Sequence, residues 1–177
     1  MRVGRLAGVA AVCAGVAAAA PAQAQLTFKD TQIIARTLTF LEAPPSGTAE
    51  LGVVFDASVV GSLPAARQAA AQFGGGVAVG HLTLEARVLP LSELGAAQNL
   101  VAILVPFDLG DTGGALAAAA RRLHVPVIST SMACVERGDC TVGFRTQDTL
   151  QIVLNHAACE AAQIGFIQAF RILVKEI

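Results

Sequence analysis

Tryptophan and tyrosine are absent from this 177-residue chain, and Asp, Glu, Lys and Arg together make up only 14% of it. Without those two ring types there is no ready stacking platform for nucleobases. A formal net charge of −1 leaves no basic stripe for a phosphate backbone or an anionic membrane. Nucleic acid is therefore not an expected partner. A catalytic set is missing as well. His81, His124 and His156 fall beside no plausible nucleophile, and Ser131 lacks the strained G-x-S-x-G elbow. No pair of carboxylates stands out for general acid–base work. The expectation is a non-enzymatic protein without a cofactor.

Long apolar runs are also scarce; one stands at the very start. Arg2 and Arg5 precede an uncharged stretch, Leu6 to Ala20, and Ala22-Gln23-Ala24 fits the small-x-small cleavage rule. A membrane anchor needs roughly 20 strongly apolar residues, whereas this run is mostly Ala and Gly. The arginines are not adjacent, as a twin-arginine route requires, and Val12 is too bulky for a lipoprotein site at Cys13. Residues 1–24 are thus expected to be a cleaved signal peptide, and residues 25–177 one periplasmic domain. Removing 24 of 177 residues leaves 153, enough to bury about 70% of the unfolded surface. Without Arg2 and Arg5, 10 basic residues face 13 acidic ones, a net charge of −3. No later run reaches spanning length, so no membrane insertion of the mature chain is expected.

The remaining pattern alternates strand and helix. Residues 25–42 read as a helix, with Ile33, Ile34, Leu38 and Leu41 on one side and Lys29, Asp30 and Arg36 on the other. Pro44-Pro45 end it. Leu51 to Phe55 is a buried strand, and Leu63 to Phe73 an Ala-rich helix. Gly74-Gly75-Gly76 follow that helix, which makes them a turn and not a phosphate cradle. Leu82 to Leu89 is a strand, Leu91 to Gln98 a short helix, and Leu100 to Val105 a strand. Asp111 or Thr112 is expected to cap a helix over 113–123. Val125 to Ile128 is another strand. Thr141–Thr146 and Thr149–Asn155 form a hairpin turning at Gln147-Asp148. Asn155 caps a following helix, and Phe166 to Ile177 is a final amphipathic one, with Ile167, Phe170, Leu173 and Val174 on one face. The predicted fold class is α/β: a single domain, its mainly parallel sheet flanked by helices on both faces, with a C-terminal hairpin and terminal helices.

Ligands of such sheets sit outside the carboxyl ends of the strands. Those ends carry Asp56, Ser58, Asp108, Thr112, Ser129, Thr130 and Ser131. These residues either line a small-ligand pocket or serve as ordinary caps and turn formers; the second reading is favoured. The mature chain holds Cys134, Cys140 and Cys159. Cys134 and Cys140 form a structural bridge, a redox-responsive one, or remain thiols. Cys159 sits on an alanine-rich helix, a normal home for a buried thiol. Zinc could be imagined on Cys134, Cys140, His156 and Cys159, but exported thiols tend to oxidise first, and no metal is expected.

Pro126-Val127-Ile128-Ser129, Val135-Glu136-Arg137-Gly138, the hairpin ending at Leu154-Asn155 and the Ala-rich helix after it resemble the C-terminal signature of the YfiR-like family of exported proteins. Thr39-Phe40-Leu41-Glu42-Ala43-Pro44 is similar to that family's Phe-Val-x-Trp-Pro ending of the first helix, and Leu51 to Asp56 to its first strand. The resemblance implies a periplasmic α/β protein, often a homodimer, that acts in cyclic-di-GMP signalling. The named member of the family binds the periplasmic sensor domain of an inner-membrane diguanylate cyclase and responds to disulfide state. It implies a bridge between Cys134 and Cys140 and a partner surface at Glu136 and Arg137. Ala43 stands where the family has tryptophan, and a second, upstream cysteine pair is missing. The alternative reading is a single-lobe solute-binding protein of a transport system.

Overall fold

Thr27 and Asp30 start the first helix. Thr27 Oγ1 accepts from the Asp30 amide, while Asp30 Oδ2 accepts from the Thr27 amide and hydroxyl, both at 2.7 Å. This capping box satisfies amides that a helix start leaves bare. The helix, α1 (Phe28–Leu38), buries Ile34, Ala35 and Leu38. It is shorter than the expected span of 25–42, and Asp30 corrects the reading that put it on the outer side: it is only 3% exposed, because capping folds its side chain inward. The computed structural model describes residues 26–112, 114–147 and 149–177; the expected leader, Gln25 and Asp148 of the expected hairpin turn lie outside the described residues.

The rest of the chain runs β1 (Gly47–Phe55), α2 (Ser62–Ala71), β2 (Val77–Val79), β3 (Leu82–Pro90), a 3-10 turn (Leu91–Ala96), β4 (Leu100–Val105), α3 (Ala115–Leu123), β5 (Val127–Ser129), α4 (Met132–Glu136), β6 (Val142–Arg145), β7 (Gln151–Leu154), α5 (His156–Ala162), α6 (Gln168–Arg171) and β8 (Lys175–Glu176). The strands form one eight-stranded sheet in the order β2-β3-β1-β4-β5-β6-β7-β8. Five central strands, β3, β1, β4, β5 and β6, are mutually parallel. β2 and β7 flank them antiparallel, and β8 lies parallel to β7. The expected α/β class with its C-terminal strand pair is therefore the observed fold.

Two hydrophobic cores cover the two faces. Ile34 and Leu38 of α1, Ala66 and Phe73 around α2, and Phe166 and Phe170 near the C-terminus pack on Leu51, Val53 and Leu104. On the other face Leu94, Leu116, Ala120, Cys134 and Val135 pack on Val54, Ile103 and Val127. Each fully buried Leu, Ile or Phe contributes about 1.5–3 kcal/mol relative to exposure. Successive residues of β1 feed opposite cores, which is why Leu51–Val54 is uninterrupted by polar residues.

Four sequence expectations need correction. β2 was not foreseen: three residues between glycine turns are too few for a period, but they pair antiparallel with Leu82–Leu84. α4 fills what was expected to be a loop opening the hairpin. The cap position of α3 is Gly114, at φ 75°, and not Asp111 or Thr112; the expected first helical residue, Gly113, lies outside the described residues. Finally, only Gln168–Arg171 of the expected last helix is helical, and the chain then extends into β8. Phe170 does turn inward, stacked between Phe40 and Phe166 at centroid distances of 5.1 and 5.0 Å. Leu173 is 76% exposed. β8 supplies the β7 edge with backbone partners, a gain that one more helical turn could not offer. The hairpin strands pair as expected, Val142 with Leu154 through Arg145 with Gln151.

Candidate functional site

The chain leaves β1 toward β3 on one side and leaves β3 toward β4 on the other, so the order of winding reverses between the parallel strands β1 and β4. Outside the carboxyl ends of such a reversal lies the usual crevice of a doubly wound sheet. Asp56 follows β1. Its Oδ1 accepts from the Ser58 amide at 2.8 Å and from the Ser58 hydroxyl at 2.7 Å, and these bonds hold its carboxyl below the ordinary range. The Ser62 hydroxyl donates to the Asp56 carbonyl. Asp56 and Ser58 border a cleft of about 650 Å3 with Leu91, Ser92, Gly95 and Ala115.

A second polar group stands beyond β4 and β5. Asp108 Oδ1 accepts from the Gly110 amide at 2.9 Å and from Arg137 Nη2 at 3.2 Å. Arg137 Nη2 also donates to the Gly110 carbonyl at 2.9 Å, and its Nε to Asp139 Oδ2 at 3.2 Å. Burial alone would raise the Asp108 carboxyl, but the Gly110 amide, Arg137 and the Ser131 hydroxyl outweigh it and hold it below the usual value. The structure thus brings Asp108, Ser131 and Arg137 together, while Ser58 belongs to the separate cleft.

Ser129 and Thr130 are committed to the backbone. The fully buried Ser129 hydroxyl donates to the Val105 carbonyl at 2.9 Å and accepts from the Ser131 amide at 3.0 Å. Thr130 Oγ1 donates to the Pro106 carbonyl at 3.1 Å. These bonds tie the loop after β5 to the loop after β4, the turn-forming role the sequence favoured. Thr112 Oγ1 is buried without a hydrogen-bond partner.

α4 explains the Glu136-Arg137-Gly138 motif. Glu136 ends the helix exposed, Arg137 reaches the Asp108 loop, and Gly138 takes φ 80°, a left-handed position suited to glycine after a helix. A disulfide joins Cys134 to Cys140, and the Asp139 and Cys140 amides both donate to the Cys134 carbonyl. Both sulfur-bearing residues are buried in the second core. A feature absent from the sequence reading is the double use of Asn155: its Oδ1 caps α5 through the Ala158 amide at 2.9 Å, and its Nδ2 donates to the Val135 carbonyl at 2.8 Å. Only the capping half carries a sequence signal. Cys159 is a buried free thiol, pushed up to about 12 by desolvation.

Among the described residues no cluster of three or more His, Cys, Asp or Glu side chains is placed to hold a metal. No helix among them is long and apolar enough to cross a membrane.

The topology and this rim define a one-sheet, doubly wound α/β protein. No family model matches the chain, and no curated protein matches it. Among solved structures it is similar to a conserved domain protein from Vibrio cholerae O1 biovar El Tor, with a TM-score of 0.54 and 15% identity. That similarity covers 86% of this chain but 60% of the other, so the chain spans less than two thirds of its neighbour's length. At this identity the likeness is one of fold alone.

Proposed function

We propose that this is an exported, non-enzymatic regulatory protein that binds the periplasmic sensor domain of a membrane-bound diguanylate cyclase. The observation that carries the reading is the construction of α4. A buried disulfide and the Asn155 bond fix a short helix whose exposed end presents Glu136 and Arg137 beside Asp108. A surface ordered in advance spares a partner the entropy of ordering it, about 1–2 kcal/mol per residue of backbone. The bridge acts in this reading as a staple that shapes the surface. Its burial makes reduction follow local opening of α4, so a redox response is slow and not immediate.

The test is co-expression with a GGDEF-type cyclase that has a periplasmic sensor domain, followed by affinity measurement on the purified pair. The wild type is expected to bind; Glu136→Arg is expected to bind about tenfold or more weakly, as expected when like charge is placed in an interface. A Cys134→Ser, Cys140→Ser variant that remains folded is expected to bind more weakly too. Equal binding by all three would remove both the surface and the redox control from the reading.

The cleft bordered by Asp56, Ser58 and Ser92 supports a second reading, a single-lobe solute binder. A thermal shift with small polar solutes that is abolished by filling that cleft, for example with Gly95→Trp, would favour it over the regulator.

A further inference from the structure

The cleft bordered by Asp56 has a one-sided charge. It holds about 650 Å3 outside the carboxyl ends of β1 and β3, next to the point where the winding reverses. Asp56 is the only charged residue among the described residues that line it. Both bonds from Ser58 fall on Asp56 Oδ1, at 2.8 and 2.7 Å, and fill the lone-pair sites of that oxygen. Oδ2 has no hydrogen-bond partner among the described residues, yet it is not buried, so solvent and solutes reach it. Asp56 thus serves its own turn with one oxygen and leaves an ionised, accessible oxygen at the edge of the cleft.

We infer that this cleft binds a small alkylammonium ion that carries no carboxylate, with Asp56 Oδ2 as its anchor. An ammonium group donates three hydrogen bonds and accepts none. Asp56 Oδ2 offers it a charged acceptor. Ser58 Oγ, whose proton goes to Asp56, and the Ser92 hydroxyl are exposed on the same cleft as further acceptors. A guanidinium fits less well, because its fork needs both carboxylate oxygens and Ser58 has taken one. Pro90, Leu91 and Ala115 supply an apolar wall for a short carbon chain. An anion also fits less well. The start of α3 at Ala115 contributes about half a positive charge at most, against the full negative charge of Asp56. No cationic side chain among the described residues lines the cleft to add to it. This ligand class rests on the solute-binding reading of the same cleft and is independent of binding to a cyclase.

The experiment is an NMR titration of the purified protein, at pH 7 and constant ionic strength, with butylamine, butan-1-ol, butyrate and glucose. Butylamine is expected to give saturable shifts of the Asp56, Ser58 and Gly95 amides. Butanol, with the same chain and no charge, and butyrate, with the opposite charge, are expected to give none. Asp56→Asn keeps an oxygen for the Ser58 amide and hydroxyl but removes the charge, and it is expected to weaken butylamine by about tenfold or more. Gly95→Trp fills the cleft without replacing Asp56 and is expected to abolish binding. It keeps the test valid should Asp56→Asn fail to fold. Saturable binding of glucose without butylamine would leave the solute-binding reading standing and overturn the ammonium ligand, whereas no binding by any of the probes would overturn both. The ammonium ligand is also overturned if butanol or butyrate matches butylamine, or if folded Asp56→Asn or Gly95→Trp binds butylamine as well as the wild type.

Discussion

Arg137 and Asp108 lie 29 residues apart in sequence and meet at 3.2 Å across the carboxyl ends of the sheet. The same Arg137 nitrogen holds the Gly110 carbonyl, so one guanidinium fastens the loop after β4 to the end of α4. The pair is partly exposed, with side chains 37% and 44% accessible, and an ion pair of this kind contributes about 1 kcal/mol or less. Its value lies in positioning.

The first prediction concerns pH. Asp108 and Asp56 are both held below the ordinary carboxylate range in the fold. A depressed folded value means that the unfolded chain takes up protons first. The stability these groups contribute is therefore complete above about pH 4 and is lost as pH falls through the lower folded values. Denaturant midpoints from pH 7 to pH 2 should decline below that point, and Asp108→Asn should show a shallower decline. An identical slope in the variant would remove Asp108 from the account.

Gly143 is predicted to tolerate no side chain. A Cβ there would stand 2.7 Å from Val135 Cγ2 and 3.1 Å from Met132 Sδ, so α4 rests directly on the β6 backbone. Gly143→Ala should destabilise by about 1–3 kcal/mol, the usual range for overpacking. Pairing it with Val135→Ala should recover part of that loss, giving a non-additive double-mutant cycle in urea unfolding. Strict additivity would mean that α4 moves away freely.

Asn155 is predicted to separate into two functions. Asn155→Asp keeps the α5 cap and loses the donor to the Val135 carbonyl, while Asn155→Ala loses both. The alanine variant should lose about 1–2 kcal/mol from the cap alone, with a smaller further loss from the missing bond to the Val135 carbonyl, which the Gly138 amide still holds. Thermal unfolding should rank wild type above Asp above Ala. If Asp and Ala unfold together, the cap contributes little.

Cys159 should be chemically silent in the native protein. Its thiol is buried and raised to about 12, so thiolate is scarce at pH 8. Iodoacetamide at pH 8 should label it only on unfolding. Rapid native labelling would reveal opening between α5 and the sheet.

Much of this architecture was legible because the middle strands carry apolar runs of strand length, Leu51–Phe55 within β1 and all of Leu100–Val105, the latter matched residue for residue, while β3 alternates. Asn155 could be read as a cap because the residue type and its place before an Ala-rich run carry that signal. What escaped were elements defined by tertiary pairing. Val77–Val79 becomes a strand through β3, and Lys175–Glu176 through β7. At the rim, Asp108 and Arg137 were each singled out separately, but no spacing rule joins residues so distant. Asp30 was misplaced because helical periodicity outweighed the Thr-x-x-Asp capping signal at Thr27.

The central position of β1 has a kinetic consequence. The strand made first is hydrogen-bonded on both sides by strands made later, β3 up to 35 residues on and β4 about 50 on. Until residue 105 is available, β1 has an open flank and no finished core beneath it. Parallel pairings of this range are slow to nucleate, and their unpaired edges are prone to intermolecular association. Fragments ending before β4 should aggregate, whereas the Cys134–Cys140 bridge closes a ring of local contacts at α4 that needs none of these distant pairings.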